Sequence, residues 1–192
     1  MSAALLAQAC GTPTLDLADA PDGNYQLEPS HVRILFGVPH LGLSTYWAQM
    51  TRAEGTLQFD PAAPEASVVS VKIDPASVMT GDAKFDQELQ GSSWFDSADH
   101  PEIRFVSTRV VRTGETTGVV TGQLTLLGVT KEITLDVIFN GSLLHPFEQR
   151  RALGFSATGT IRRSDFGMDH LVLFGIGDDV KLMLEAEFIL RE

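Results

Sequence analysis

The stretch KLMLEAEFIL (residues 181–190) decides the fold, because apolar and mostly polar residues alternate along its whole length. One set consists of Leu182, Leu184, Ala186, Phe188 and Leu190, and the set between them consists of Met183, Glu185, Glu187 and Ile189. Successive side chains of a β-strand point to opposite faces, so this pattern predicts a strand with one apolar face.

The same period of two returns in four other segments between Tyr25 and the C-terminus. Their apolar sets are Val32, Ile34, Phe36, Val38; Val69, Val71, Ile73; Ile133, Leu135, Val137, Phe139; and Phe155, Ala157, Gly159, Ile161. Turn signals lie at Gly114, Leu127-Gly128, Asn140-Gly141 and Asp178-Asp179. Strict alternation is typical of half-buried antiparallel strands, and long strands at this spacing indicate a β-sandwich or an up-and-down barrel.

We favour the barrel, and therefore predict an all-β, antiparallel fold. The apolar series mix large and small residues, as a tapering barrel wall requires: Gly122 occurs with Leu124, Ala157 with Gly159, and Ala186 with Phe188. A barrel of about eight strands is just wide enough to be filled by side chains or to hold one small ligand. The small residues favour a cavity; the alternative, a dry core of Phe36, Phe105, Phe155 and Phe188, stays open.

Length and charge limit the function. A chain of 192 residues suits one domain with a sizeable core. The net charge of −11 argues against nucleic acid as a partner, because such partners require a basic patch. The longest apolar run, LVLFGIG (residues 171–177), is too short for an integral membrane span. A single cysteine, Cys10, excludes an internal disulfide.

Residues 1–24 form a lead-in before the barrel domain of residues 25–192. The segment MSAALLAQAC contains an Ala7-Gln8-Ala9 triplet, the pattern of a secretory cleavage site, but no Lys or Arg precedes Arg33. We favour the remnant of an export signal, which predicts a periplasmic or secreted protein. The alternative is an N-terminal tail, which leaves a cytoplasmic location open.

The stretch SVMTGDAKFDQELQGSSWFDSADHPEIRFVS (residues 77–107) interrupts the alternation. Asp82 can cap a helix and Gly91 can end it in the left-handed conformation, so residues 83–90 are predicted to be helical. Ser93 and Asp96 have the spacing of a capping box, which predicts a second helical turn. The chain therefore has short helical insertions near residues 82–98.

These insertions carry four large apolar side chains, namely Phe85, Leu89, Trp94 and Phe95. Phe85 and Leu89 share a helix face, since they lie four positions apart. Side chains this apolar need cover from water. We expect them to form a lid over the mouth of the barrel.

Several segments together resemble the YceI-like, or polyisoprenoid-binding, family of bacterial proteins, from about Tyr25 to the C-terminus. The segments are YQLEPSHVRILFGVPHLG (25–42), SVMTG (77–81) followed by FDQEL (85–89) and SSWFDSADHPEIRF (92–105), GQLTLLGVTKEITL (122–135) and LGFSATGTIRRSDFG (153–167). The resemblance implies a lipocalin-like antiparallel barrel whose long apolar cavity holds an isoprenoid chain. It also implies export and a homodimer. The chain departs from the family at Phe85, Glu88 and Tyr25, where Arg, His and Trp are common.

Two polar residues are candidates for contact with a ligand head group. The alternation of side chains along a strand places His40 on the same face as Phe36 and Val38. One polar group at the end of an apolar cavity can orient a ligand. A His hydrogen-bonded at a strand end is the alternative. Arg163 can meet a phosphate or a quinone oxygen, but we favour a bracing role in which it pairs with Asp165 or another carboxylate.

The sequence thus predicts a carrier for a polyprenyl chain or an isoprenoid quinone, with no cofactor, no metal and no catalytic residues. The five histidines show no H-x-x-x-H or H-x-H spacing, and no G-x-S-x-G motif or phosphate-binding loop occurs. The alternatives are an enzyme acting on such a lipid and a barrel used for protein interaction. The predicted ligand contacts are Phe36, Val38, His40, Phe85, Leu89, Trp94, Phe95, Phe105, Gly159 and Arg163.

Overall fold

The structure, a computed structural model, describes residues 11–191. The export signal predicted in residues 1–10 lies outside the described residues. The strands are β1 (Gly23–Leu27), β2 (Arg33–His40), β3 (Ser44–Met50), β4 (Ala53–Phe59), β5 (Val68–Ile73), β6 (Val78–Met79), β7 (Ile103–Arg112), β8 (Thr117–Leu126), β9 (Val129–Leu144), β10 (Arg151–Arg162) and β11 (Asp179–Leu190). The helix α1 (Ala83–Leu89) follows β6, and over residues 11–191 no helix is long and apolar enough to cross a membrane.

Eight of these strands close into an antiparallel barrel. The order around the barrel is β1-β4-β5-β7-β8-β9-β10-β11, and β11 pairs again with β1, where Tyr25 lies opposite Leu190. The predicted all-β barrel is therefore confirmed.

The last strand, β11, has two partners on one of its edges. Its first half pairs with β2, where Leu182 lies opposite Phe36, and its last residues pair with β1. The strands β3 and β6 continue the sheet outward from β2. The loop between β1 and β2 therefore spans the point where β11 changes partner.

Three of the four predicted turns separate strands. Leu127 and Gly128 both have positive φ, +52° and +73°, as a two-residue hairpin turn between β8 and β9 requires. Gly114 lies in the turn between β7 and β8, and Asp178 directly precedes β11.

The predicted turn at Asn140-Gly141 is wrong, because β9 continues to Leu144. Gly141 has a φ of +128°, and the pairing of β9 with β10 shifts register between Gly154 and Phe155. The sequence signal marks a β-bulge, which bends a strand without ending it.

The barrel interior is apolar and continuous with the space beneath α1. The apolar sets of the alternating segments point inward, and Tyr25, Leu153 and Phe188 are among the buried residues. The Tyr25 hydroxyl donates a hydrogen bond to the Pro21 carbonyl at 2.6 Å, which satisfies the one polar group of this buried ring.

Candidate functional site

The barrel holds two adjacent compartments that share part of their lining. The Trp94 compartment includes Ile34, Phe36, Leu89, Trp94, Phe95 and Met168 in its lining, and the Ser67 compartment includes Phe59, Ser67, Val69, Val120, Phe139 and Ala157. Six residues line both: Val71, Phe105, Leu135, Leu184, Ala186 and Phe188. The cavity volume is about 210 Å³ in each compartment. A cavity of this shape suits an extended apolar ligand.

The helix α1 brings one predicted contact residue into the cavity. The Asp82 carboxylate accepts hydrogen bonds from the backbone N–H groups of Lys84 and Phe85 at 2.9 and 3.4 Å, so the predicted cap is present. Leu89 is buried and lines the Trp94 compartment. Phe85 lies outside the cavity lining and packs edge-on against Tyr46, with ring centroids 5.5 Å apart.

Two details of the insertion differ from prediction. Gly91 does not adopt the left-handed conformation; Asp96 does, with a φ of +44°. Residues 92–99 form hydrogen-bonded turns without a second helical turn. The Phe95 N–H donates to the Leu89 carbonyl at 3.0 Å, so the chain folds back onto the end of α1 and cannot begin a new helix there.

Trp94 and Phe95 meet at one end of the cavity, where both are buried. Phe95 packs edge-on against Phe36 with ring centroids 5.7 Å apart. Trp94 packs edge-on against His170 at 5.0 Å, and the Arg163 Cζ atom lies 5.6 Å from the Trp94 ring centroid. A guanidinium at this distance is attracted to the indole face. The three predicted contact residues Phe36, Trp94 and Phe95 therefore close one end together.

Arg163 holds the loop that covers this end. Its Nε donates to the Gly177 carbonyl at 2.8 Å, Nη1 to Met168 at 2.9 Å and Nη2 to Ile176 at 3.0 Å. The bracing role matches our interpretation, but the partners are carbonyls and neither Asp165 nor another carboxylate. Burial lowers the pKa of the Arg163 guanidinium, and the charges of nearby acids oppose this effect.

His40 lies outside the cavity, against the prediction from parity. Val38 still lines the Trp94 compartment, but His40 is exposed at the end of β2. Its backbone pairs with Ile176, and its carbonyl accepts a hydrogen bond from Leu43 at 2.9 Å. The alternation fails here because Val38 is the last residue of β2 that lines the cavity and His40 ends the strand.

The inward glycines make room for neighbouring side chains and none for a ligand. A Cβ at Gly159 would lie 2.7 Å from Leu135 Cδ2, and one at Gly122 would overlap the Phe105 ring. Gly159 is therefore covered by Leu135, contrary to its predicted contact role. Phe105 does line both compartments, and Ala157 and Ala186 leave open space in the wall.

The sequence profile of the YceI-like domain matches residues 25–188. The chain belongs to the YceI-like family. It is 40% identical over 166 residues to a UPF0312 protein of Pseudomonas savastanoi pv. phaseolicola, covering 85% of this chain and 86% of the relative. A UPF0312 protein of Pseudomonas putida is 38% identical over 164 residues, covering 84% of this chain and 85% of the relative.

Solved structures share the fold of this YceI-like chain. A Campylobacter jejuni YCEI protein has a TM-score of 0.72 at 30% identity, covering 80% of this chain and 90% of its own. Burkholderia cenocepacia BcnA has a TM-score of 0.73 at 21% identity, covering 84% and 98%. A Saccharophagus degradans polyisoprenoid binding domain, implicated in plant cell wall breakdown, has a TM-score of 0.62 at 15% identity, covering 87% and 98%.

Sequence reasoning missed the polar end of this YceI-like cavity. Ser67, Arg112, Glu115 and Thr117 line the Ser67 compartment at the turn between β7 and β8 and the loop before β5. The Ser67 Oγ atom is buried and has no hydrogen-bond partner among the residues that the structure describes. Arg112, Glu115 and Thr117 lie close together in sequence, but Ser67 lies 45 residues before Arg112 and reaches them through the pairing of β5 with β7.

Proposed function

We propose that this protein binds one long apolar lipid of the isoprenoid type in the barrel cavity and acts as a carrier or store without chemical turnover. The observation that carries the proposal is that the two adjacent compartments share six lining residues and expose almost no polar surface. Burial of each CH₂ group contributes ~0.8 kcal/mol, so several isoprene units can bind tightly with few polar contacts. The polyisoprenoid binding domain that shares this fold supports the same ligand class.

The two ends of the cavity give the lipid a direction. The Trp94 end is apolar and covered by the loop that Arg163 braces, so it suits the tail. The Ser67 end suits the head group. Among the described residues, the polar side chains in the lining of this compartment all lie at this end, and they include the unpaired Ser67 hydroxyl. The buried Ser67 hydroxyl gains a hydrogen bond when a polar head reaches it.

A neutral or compact polar head fits this end better than a diphosphate. Among residues 11–191, Arg112 is the one basic residue in the lining of the Ser67 compartment, and the chain carries a net charge of −11. Burial of a diphosphate would need several cationic partners. We therefore propose a polyprenyl alcohol or an isoprenoid quinone as the ligand.

The lining residues also favour binding over turnover. Among the described residues, neither lining includes His, Cys, Lys or Asp, the usual carriers of protons or nucleophiles together with Glu and Ser. Of the Glu and Ser residues in the two linings, Glu115 and Ser67 belong to the polar end, where the proposed head group lies, and Glu185 belongs to the Trp94 compartment. Export and a homodimer stay predictions, and the first rests on residues 1–10.

Titration with isoprenoid alcohols of increasing length tests the proposal. Affinity for farnesol and geranylgeraniol is expected to rise at least tenfold per added isoprene unit while the chain still fits. Ala186 faces both compartments, so Ala186→Phe should weaken binding at least tenfold. Met183→Phe, on the exposed face of the same strand, is the matched control.

Two results would contradict the cavity proposal. One is equal affinity for short and long alcohols. The other is an Ala186→Phe variant that binds as tightly as the Met183→Phe control while both keep the far-UV spectrum of the wild type. Mass spectrometry of lipid extracted from purified protein then identifies the natural chain.

A further inference from the structure

Three metal-binding side chains from distant parts of the sequence converge on the outside of the barrel. They are His31 in the loop between β1 and β2, His145 just after β9, and Glu187 on β11. One ligand atom of each lies within 4.8 Å of the others. Over residues 11–191, this is the one group of three or more His, Cys, Asp or Glu residues with such spacing.

The backbone fixes each of the three positions. The Glu28 N–H donates to the Glu187 carbonyl at 2.8 Å, and the His31 N–H donates to Glu28 Oε2 at 3.1 Å, so the loop is tied to β11. On the other side, the His145 N–H donates to the Arg150 carbonyl at 2.8 Å and closes the turn between β9 and β10. The site therefore belongs to the folded barrel and does not lie on a loose tail.

The distances suit a single cation after a small side-chain adjustment. His31 Nδ1 lies 3.6 Å from Glu187 Oε2. Two ligand atoms on one tetrahedral zinc ion lie roughly 3.3 Å apart, since zinc–ligand distances are about 2.0–2.2 Å. The widest pair, at up to 4.8 Å, closes by side-chain rotation.

His145 has to exchange one hydrogen bond when it binds a cation. Its Nδ1 accepts a hydrogen bond from the Glu148 N–H at 3.2 Å. A neutral imidazole has one lone pair, so metal binding by His145 replaces this contact. The contact is long and exposed to solvent, so its loss takes little from the free energy of metal binding.

Two imidazoles and one carboxylate form a donor set that zinc prefers among common divalent ions. Mg²⁺ and Ca²⁺ prefer oxygen ligands, whereas imidazole suits Zn²⁺. Glu28 Oε2, 3.4 Å from His31 Nδ1, adds negative charge beside the site. We propose that His31, His145 and Glu187 bind one Zn²⁺ ion, with water in the fourth position.

Such an ion would tie together three elements at the point where β11 changes partner. Ala186 and Phe188, on either side of Glu187, line the lipid cavity. An ion that binds only the folded chain stabilises it by mass action. The zinc site therefore reinforces the outer face of the same wall that holds the lipid, and it stands independently of the lipid proposal.

Calorimetric titration with ZnCl₂ tests the site in untagged full-length protein carrying Cys10→Ser, so that the thiol does not compete. We expect one zinc ion per chain. His31→Ala, His145→Ala and Glu187→Gln should each weaken binding at least tenfold. His40→Ala, which removes another exposed histidine, is the matched control and should change affinity less than twofold. Zinc should raise the Tm of the wild type and of His40→Ala, but not of the His31→Ala/His145→Ala double variant.

Three results would overturn the proposal. The first is wild-type zinc affinity in the double variant. The second is a loss of zinc affinity in His40→Ala equal to that in the variants of the three site residues. The third is binding of Mg²⁺ or Ca²⁺ as tight as that of Zn²⁺, which would indicate a carboxylate surface. Metal-free melting curves show that each variant folds, and X-ray absorption at the zinc edge counts the imidazole ligands independently.

Discussion

The ring of Phe105 on β7 covers Gly122 on the neighbouring strand β8 so closely that a methyl group at position 122 would overlap it. Phe105 also lines both compartments and so forms part of the boundary between them, which we call the waist. The position of this ring therefore decides how freely a chain passes from one compartment to the other.

Gly122→Ala should displace the Phe105 ring and also strain the backbone of β7, because the added Cβ would lie 2.6 Å from the Val106 carbonyl oxygen. Overpacking of this kind destabilises a core by typically 1–3 kcal/mol, and lipid affinity should fall with it. Gly154→Ala is the control, because its added Cβ would make only ordinary contacts, the nearest at 3.5 Å to Asn140. Denaturant unfolding and geranylgeraniol titration measure the two effects. Equal stability and affinity of the two variants would refute this account of the waist.

Trp94 should report the arrival of the lipid. Its indole is buried in the lining of the Trp94 compartment, whereas Trp47 is 40% exposed on β3. In a Trp47→Phe variant the remaining emission should change on titration with a long isoprenoid alcohol. In a Trp94→Phe variant it should stay constant. The reverse pattern would place the lipid outside the barrel.

Ser67 should contribute to the binding of a lipid with a polar head group but not to the binding of a hydrocarbon. A neutral hydrogen bond is worth ~0.5–1.5 kcal/mol, so Ser67→Ala should weaken binding of a polyprenyl alcohol by about tenfold at most. Binding of a hydrocarbon of similar length should not weaken. Ser70→Ala on β5, whose residue does not line the cavity, is the control. A loss that is the same for alcohol and hydrocarbon would mean that the head lies elsewhere.

Arg163 and its neighbour Arg162 should differ sharply in their effect on stability. Arg163→Lys keeps a charge but loses the planar group that reaches three carbonyls, and we expect a loss of about 3 kcal/mol. Arg162 is exposed and pairs with Asp178 at 3.0 Å, so Arg162→Lys should change stability far less than Arg163→Lys does. Urea unfolding of both variants measures the difference. Similar losses would contradict the bracing role.

Asp178 should make stability fall in acid. Burial alone would raise the pKa of its carboxyl, but hydrogen bonds from Ser164 and Arg162 outweigh burial and hold the pKa below its usual range. A lowered folded-state pKa contributes stability above the unfolded value, about 3.9, and this contribution is lost as pH falls through the folded value. Asp178→Asn should therefore reduce the loss of stability below about pH 4. Asp179→Asn is the control for charge alone, and an unchanged acid profile in Asp178→Asn would refute the assignment.

Local patterns in the sequence predicted most of the fold. Alternation located the inward faces of the strands, and the Asp82 cap located α1, because both depend on residues close together along the chain. The Asn140-Gly141 signal failed because a bulge and a turn use the same residue types, and only the pairing partner separates them.

The site was harder to predict, since its features depend on contacts between distant segments. His40 lies outside the cavity because the cavity lining on β2 stops at Val38, and alternation along a strand does not show where a cavity ends. Gly159 is occupied by Leu135 from the neighbouring strand. The unpaired Ser67 hydroxyl has no motif that marks it. In each case the position depends on a residue at least twenty positions away in the sequence or on how the strands are arranged around the cavity.

The two partners of β11 bear on how the barrel closes during folding. Its pairing with β10 joins strands that follow one another in the chain, and it extends over eleven residue pairs. Its pairing with β1 joins the two ends of the domain through only three pairs, from Tyr25–Leu190 to Leu27–Phe188. Contacts between residues so far apart in sequence form late, because a long loop must first be closed. We therefore expect the β1–β11 seam to form late. Because its three residue pairs are fewer than those of any other pairing among the described barrel strands, it is also where we expect the finished barrel to part most readily to admit a lipid.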